Sequence, residues 1–429
     1  MGIILFILLI FLVFMRIPVA FSLAITSFIG FIYYANWIAA IVQLSSIVVS
    51  GISSYTLSVV PMFLLMGEFT FQSGITNDLY IAVRKWFGKL PGGLAISTNF
   101  AAALFGACSG STIASCSMFT KISLPEMQKA GYDNRLSTGC IASAGALACM
   151  IPPSILMIIY GIISMTSISK LLIAGILPGL ITSIIFGLGI YLITYFRKDI
   201  APTFNETVSF KEKIISLKGI TPTLFLFILI IGGLYLGWFT ATQGGAMGAL
   251  GALLILVLRG KFTLKLFWQA LVNAGMLSCS LLIIVIFGNL FAQMLSMSGM
   301  IRELTCVIIG LSIAPIYILI LILSIYLILG CLVDPVSMLI ITTPLVLPIA
   351  ETFHWHPIWF GIIVITMVEI GVITPPVGMN LFTVKGTAGD TVSIKEIYLG
   401  ILPFLMMVGV TIVLLILFPD LFLYLPLKM

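Results

Sequence analysis

Roughly eleven to thirteen apolar stretches, each near the 20 residues that a helix needs to cross a bilayer, follow one another through this chain. Few soluble architectures can absorb such a pattern. Of the 429 residues, 61% are hydrophobic and 8% charged, with a mean hydropathy of +1.26, whereas an ordinary soluble domain is about one quarter charged. The fold class that follows is an all-α polytopic membrane protein, with the lipid bilayer as its solvent. The first apolar run, Gly2 to Met15, lacks a basic start and a small-residue cleavage site, so it is a membrane segment rather than a signal peptide.

Charge is confined mostly to short connections. The 20 Lys and Arg against 14 Asp and Glu give a net +6. Scattered in this way they set membrane orientation and offer no nucleic-acid surface. Arg197, Lys198, Lys211, Lys213 and Lys218 mark one connection as cytoplasmic, and Arg259, Lys261 and Lys265 mark another. The apolar runs between them, Pro222 to Phe239 and Ala246 to Leu258, form one out-and-back pair, so the two basic loops agree on a side. Seven cysteines lie in apolar surroundings without metal-ligand spacing and are expected as unpaired packing residues.

The chain also repeats itself. Cys108 and Cys331 are 223 residues apart, as are Leu124-Pro125 and Leu347-Pro348, and Pro152-Pro153 and Pro375-Pro376. Gly-Ile-Leu-Pro recurs at 175 and 400, and Ser-Gly at 73 and 298, both at an offset of 225. An ordered series of this kind indicates internal duplication. The helix after the first Gly-Ile-Leu-Pro ends at the five-cation connection, whereas the one after the second ends at a tail with Asp420 and Lys428. By the positive-inside rule the copies are inverted. The expected organisation is a first repeat with N-terminal scaffold helices at 1–196, a cytoplasmic linker at 197–219 and a second, inverted repeat at 220–429. No Gly-x-x-x-x-Gly-Lys-Ser/Thr sequence is present, so ATP is not hydrolysed by this chain.

Four places interrupt apolar helices where the chain is deepest. They are Gly106-Ala-Cys-Ser-Gly-Ser-Thr112 and Met150-Ile-Pro-Pro-Ser154 in the first repeat, and Gly330-Cys-Leu-Val-Asp-Pro335 and Gly371-Val-Ile-Thr-Pro-Pro-Val-Gly-Met-Asn380 in the second. Backbone groups freed there cannot face lipid, because each unsatisfied one costs several kcal/mol. Half-helix N-termini suit a carboxylate, while open carbonyls and hydroxyls suit sodium. The candidate sodium and substrate residues are therefore Ser109, Gly110, Ser111, Thr112, Pro152, Pro153 and Ser154, with Gly330, Asp334, Thr374, Pro375, Pro376, Gly378 and Asn380 as their counterparts. The plainer alternative is that Pro and Gly kink helices and small residues let them pack, but four breaks at matching positions favour a site.

Three acidic residues inside apolar stretches mark ion or proton pathways by default: Glu68, Asp334 and Glu369. Asp334 precedes Pro335 and suits a helix cap as well as an ion ligand, and Glu68 is expected to pair with a neighbour such as a cation at a helix end. His354 and His356 have no carboxylate or thiol cluster beside them, so they belong to an interfacial loop with Trp355 and Trp359 rather than to a metal site. No cofactor and no transition metal is implied, and no nucleophile-base-acid set points to an enzyme.

At Ser109-Gly-Ser-Thr112, Ile151-Pro-Pro-Ser154, Gly175-Ile-Leu-Pro-Gly179 and Thr374-Pro-Pro-Val-Gly378 the sequence resembles the large membrane subunit of tripartite ATP-independent periplasmic (TRAP) transporters, over essentially its whole length. The resemblance implies a multi-pass protein of the bacterial inner membrane that imports an organic anion with sodium ions. It implies an elevator-type fold like that of the ion transporter superfamily, with two re-entrant hairpins, expected around Val60 to Gly74 and around Gly288 to Gly299. It implies two partners: a small four-helix membrane subunit and a periplasmic substrate-binding protein. The run from Ser111 to Phe119 is most similar to the sialic-acid branch, and dicarboxylate carriers share the framework. The rival functions are a stand-alone sodium/anion symporter and a cation or proton antiporter.

Overall fold

The computed structural model describes residues 1–202, 208–310 and 313–429. Its elements are helices and turns, with no strand among the described residues. That follows from the solvent: in hydrocarbon a helix satisfies its own backbone, while an open strand cannot. Five helices are long and apolar enough to cross a bilayer alone, and three further pairs are bent by more than 40° at a short break.

An outer layer begins with α1 (Gly2–Phe14), α2 (Val19–Tyr34) and α3 (Trp37–Ile52), and continues with α4 (Val59–Ser73), which turns 56° from α3. Then α5 (Ile75–Phe87) leads inward to α6 (Gly93–Ser109), α7 (Thr112–Lys129), α8 (Asn134–Met150), α9 (Ile155–Ile163), α10 (Ile168–Ala174) and α11 (Ile176–Phe196). Of the expected linker 197–219, residues 203–207 lie outside the described residues, and α12 (Phe210–Ser216) occupies part of the rest. The chain returns to the outer layer with α13 (Thr221–Phe227), a π-helical turn at Ile228–Gly232, α14 (Gly233–Tyr235), α15 (Ala241–Leu258) and the 34-residue α16 (Leu264–Met297). It re-enters the centre through α17 (Met300–Gly310), α18 (Pro315–Gly330), α19 (Pro335–Thr352), α20 (Pro357–Ile373), α21 (Met379–Ala388), α22 (Ile394–Leu417) and α23 (Pro419–Leu427).

In the outer layer α4 and α15 pack closely because α15 presents glycines. A Cβ at Gly245 would lie 3.1 Å from Met62, and one at Gly248 would lie 2.6 Å from the Met66 sulfur. Small residues of this kind let membrane helices approach. Asp78 of α5 is ion-paired with Arg259 at the end of α15. Glu68 of α4 accepts a hydrogen bond from Asn273 of α16 at 3.3 Å, so its partner is an amide rather than the expected cation.

The hairpins are not where the sequence placed them. At Ser73-Gly74 and Ser298-Gly299 the left-handed glycines only turn the chain from a long helix into α5 or α17. The reversals occur at Gly110-Ser111 and at Cys331 to Asp334. Phe105 of α6 meets Phe119 of α7 edge to face, and Tyr326 of α18 accepts a hydrogen bond from Thr342 of α19 at 2.6 Å, as two limbs folded back on one another require. The double-proline break of the first repeat does not reverse the chain. It bends α8 into α9 by 45°.

The two copies run antiparallel. Near one end Tyr160 of α9 donates to the carbonyl of Pro357 at the start of α20, 3.2 Å away. Near the other, Asn380 of α21 donates to the carbonyl of Ala142 in α8 at 3.1 Å. The start of each broken helix thus lies beside the end of its repeat partner. The helices after each Gly-Ile-Leu-Pro do likewise: Thr182 and Phe186 of α11 meet Thr411 and Phe404 of α22. Inversion, inferred from one sparsely charged tail, is therefore written in the packing. All seven cysteines are unpaired.

Candidate functional site

Proline chemistry determines what the breaks expose. In a helix each carbonyl accepts from the N–H four residues on; four residues after Ala148 and Cys149 stand Pro152 and Pro153, which have none. Those two carbonyls lose their helical donors at the end of α8. Four residues after Gly371 and Val372 stand Pro375 and Pro376; the carbonyl of Gly371 accepts from Thr374 N–H at 3.1 Å, and that of Val372 has lost its helical donor. Both Pro-Pro bonds are cis. Beyond the break a new helix starts: α9 is capped by the Ser154 hydroxyl, which accepts from Met157 N–H at 3.4 Å, and α21 starts at Gly378 with no side-chain cap.

Each hairpin tip presses on the break of its own repeat. A Cβ on Gly110 would lie 2.7 Å from the carbonyl oxygen of Pro153, and the Cys149 thiol reaches the Gly110 carbonyl at 3.6 Å. In the second repeat the Cys331 thiol reaches the carbonyl of Pro375 at 3.4 Å, and a Cβ on Gly330 would stand 2.5 Å from the Cα of Gly371. Glycine at Gly110, with φ +58°, serves both the left-handed turn and the close approach.

The two half-sites differ in cover. Ser109, Gly110, Thr112, Pro152, Pro153 and Ser154 are buried, with Ser111 half-buried, and α4 lies over the tip, the Gly67 backbone passing close to the carbonyl of Ser109. In the other repeat Gly330, Gly378 and Asn380 are buried, Asp334, Thr374 and Pro375 are half-buried, and Pro376 is exposed. The Ser109 hydroxyl is buried with no hydrogen-bond partner, as is the side-chain carbonyl of Asn380. Ser111 caps α7, accepting from Ala114 N–H at 3.4 Å, and Asp334 caps α19, accepting from Ser337 N–H at 3.0 Å. The Thr374 hydroxyl donates to the carbonyl of Ile370 at 2.6 Å.

Glu369 of α20 is 3% exposed, and one of its carboxyl oxygens has no hydrogen-bond partner. Its helix packs against α8, which places this acid at the interface between the two repeats. Carbonyls without helical donors, unpartnered hydroxyl and amide oxygens and a buried carboxyl are hard-oxygen groups, of the kind that ligates small monovalent cations. No group of three or more His, Cys, Asp or Glu residues gathers among the described residues.

The model of the family described as tripartite ATP-independent periplasmic transporter, DctM component, matches residues 6–421. The chain belongs to this family. It is 33% identical to the C4-dicarboxylate TRAP transporter large permease protein of Pseudomonas aeruginosa, over 87% of this chain and 86% of that one. It is 29% identical to the sialic acid TRAP transporter large permease protein of Vibrio cholerae, over 97% and 96%. Among solved structures, the YdaH transporter of Alcanivorax borkumensis superimposes with a TM-score of 0.63 over 90% of both chains at 15% identity, which speaks for the fold alone. The protein is a TRAP permease, a multi-pass membrane transport component rather than an enzyme.

The residues picked from the sequence fall at the four tips and breaks of this permease. Geometry adds Glu369, Cys149 and Gly67. Only Glu369 carried a sequence signal, an acid in an apolar run; the thiol and the glycine matter through what lies opposite them.

Proposed function

We propose that this TRAP permease carries an organic acid inward across the bacterial inner membrane, driven by the sodium gradient. Support comes from one arrangement above all: in each repeat a hairpin tip meets a double-proline break, where prolines leave carbonyls without helical donors. Sodium ions bind as coupling ions at these oxygens. Ser109, Gly110, Ser111, Thr112 and the Pro152-Pro153-Ser154 break serve one half; Gly330, Asp334, Thr374, Pro375, Pro376, Gly378 and Asn380 serve the other. The N-termini of α7, α9, α19 and α21 offer N–H groups to a substrate carboxylate.

The substrate is an organic acid of sialic acid or C4-dicarboxylate type, since relatives named for both resemble this chain to a similar degree. A periplasmic binding protein delivers it, and a small four-helix membrane subunit flanks the permease, as the tripartite family description implies. The central body, with its hairpins and broken helices, moves as a unit against the outer layer in an elevator-like step.

The test is uptake of labelled N-acetylneuraminate or succinate into proteoliposomes containing the permease alone, with the small subunit, or with both partners, under separately imposed sodium and proton gradients. Uptake requires sodium and both partners. Undiminished uptake in sodium-free medium under a proton gradient would refute the coupling, and full-rate uptake by the permease alone would make it a stand-alone symporter.

A further inference from the structure

Away from the hairpin tips, a cavity of about 550 Å³ opens between α5, α6, α11 and the linker with α13. Apart from Ser183 and Thr223 its lining is apolar, with Trp86, Phe100, Leu104, Leu180, Ile184 and Phe227 prominent. Ser183 is already engaged by Asn99. The cavity starts at Trp86 and Leu217, beside the basic connection, and ends at Ala107 and Ile151, next to the first hairpin tip and break. Its lining runs from Ile176 to Ile184 along α11, about 12 Å of helix, which approaches the roughly 15 Å depth of one hydrocarbon leaflet.

Its mouth has the opposite character. Lys85 flanks Trp86, and Lys218 stands between the lining residues Leu217 and Ile220. Lys213 lies over the Trp86 ring, 5.8 Å from its centre, while the indole N–H donates to the Lys213 carbonyl at 3.2 Å. The nearby acids are occupied: Asp78 with Arg259, Glu126 with Arg84 and Glu212 with the Ser209 N–H. α12 exposes Phe210, Ile214 and Ile215 beside Lys211 and Lys213, the pattern of a helix lying in the headgroup plane. An apolar slot nearly one leaflet deep, with an aromatic at its rim and lysines above it, matches an anionic phospholipid.

We propose that this cleft is a binding site for one anionic phospholipid of the cytoplasmic leaflet, with an acyl chain along Leu104, Leu180 and Ile184 and the headgroup phosphate among Lys85, Lys213 and Lys218. The chain end lies against Ile151, so the lipid touches the same backbone break that forms half of the ion site. Occupancy by lipid thereby bears on the site from behind.

The experiment uses the full-length permease in phosphatidylcholine bilayers doped with phosphatidylglycerol, with retained lipid counted by native mass spectrometry. Wild type retains phosphatidylglycerol; Lys213→Gln combined with Lys218→Gln weakens retention by roughly tenfold or more. Ile184→Trp, and separately Leu180→Trp, fill the slot and abolish retention while leaving the unfolding midpoint unchanged. Phosphatidylglycerol with brominated chains quenches wild-type fluorescence more than that of Trp86→Phe, which locates the chain. Equal retention in all variants would overturn the proposal. So would displacement of the lipid on adding the small membrane subunit, which would make the cleft a protein interface.

Discussion

Gly400, the first residue of the second Gly-Ile-Leu-Pro, offers the sharpest test of how the two repeats interlock. A Cβ there would lie 2.0 Å from the carbonyl oxygen of Arg135 in α8, and one on Gly139 would lie 2.1 Å from the carbonyl of Gly400. Ordinary contact starts near 3.4 Å, so Gly400→Ala requires the two backbones to part by about 1.4 Å in a close-packed interior. The obstruction is main chain, which cannot rotate away, so the cost falls at the upper end of overpacking, about 3 kcal/mol. Alanine returns about 1 kcal/mol of helix propensity, leaving a net loss of about 2 kcal/mol. Gly409, nine residues along the same helix, has nothing within 4 Å of its would-be Cβ. Gly409→Ala should therefore gain roughly 0.5–1 kcal/mol. Thermal unfolding of the two variants and wild type in nanodiscs, followed by intrinsic fluorescence, should show midpoints moving in opposite directions. A Gly400→Ala midpoint at or above that of wild type would refute the close approach of α8 and α22.

Ser109→Ala and Thr112→Ala each remove a hydroxyl at the first tip; loss of one neutral oxygen ligand is worth about 1 kcal/mol, so half-saturating sodium for uptake should rise about fivefold. Asp334→Asn keeps an N-cap whereas Asp334→Ala loses about 1 kcal/mol; thermal unfolding separates these, and a normal sodium response in the Asn variant would leave Asp334 only its cap. His356, outside the membrane spans, caps α20 by accepting from Ile358 N–H at 3.3 Å, and burial, with Lys170 nearby, holds its pKa below the usual 6.5. A lowered folded pKa means stability that is full above the unfolded value and declines as pH falls through the folded one. Unfolding midpoints should accordingly drop on acidification below about 6.5, and His356→Asn should remove that dependence while keeping the cap.

The duplication, the inversion and the four central interruptions were legible in the sequence, because Pro-Pro, Gly-Ser and Asp-Pro state locally that a helix cannot continue, whereas the 56° break between α3 and α4 carried no such mark. It did not say which interruptions reverse the chain. A break at Met150 to Ser154 and one at Gly106 to Thr112 look alike as strings; whether the next helix proceeds at 45° or folds back depends on what it then packs against, here Phe105 on Phe119. The hairpins were consequently misplaced at Ser73-Gly74 and Ser298-Gly299, where left-handed glycines do turn the chain without folding it back. The partner of Glu68 was misjudged for a similar reason, since Asn273 is 205 residues away and no local pattern names it. The roles of Gly139 and Gly400 were equally hidden, because a glycine's reason for being there is the atom opposite.

The carbonyls of Ala148 and Cys149 have a consequence of another kind. Their want of a helical donor is covalent: Pro152 and Pro153 have no N–H to lend in any conformation. Rewinding the helix through the break would give them no donor four residues on; a partner has to come from another register or another part of the fold, as the Thr374 N–H supplies one to Gly371 in the second repeat. On the proposed function, binding and release of a cation at this break are governed by access, with the first hairpin tip packed against it where Gly110 meets the carbonyl of Pro153. On that reading control resembles a door rather than a dial: the missing helical donor is fixed covalently, and access is what changes.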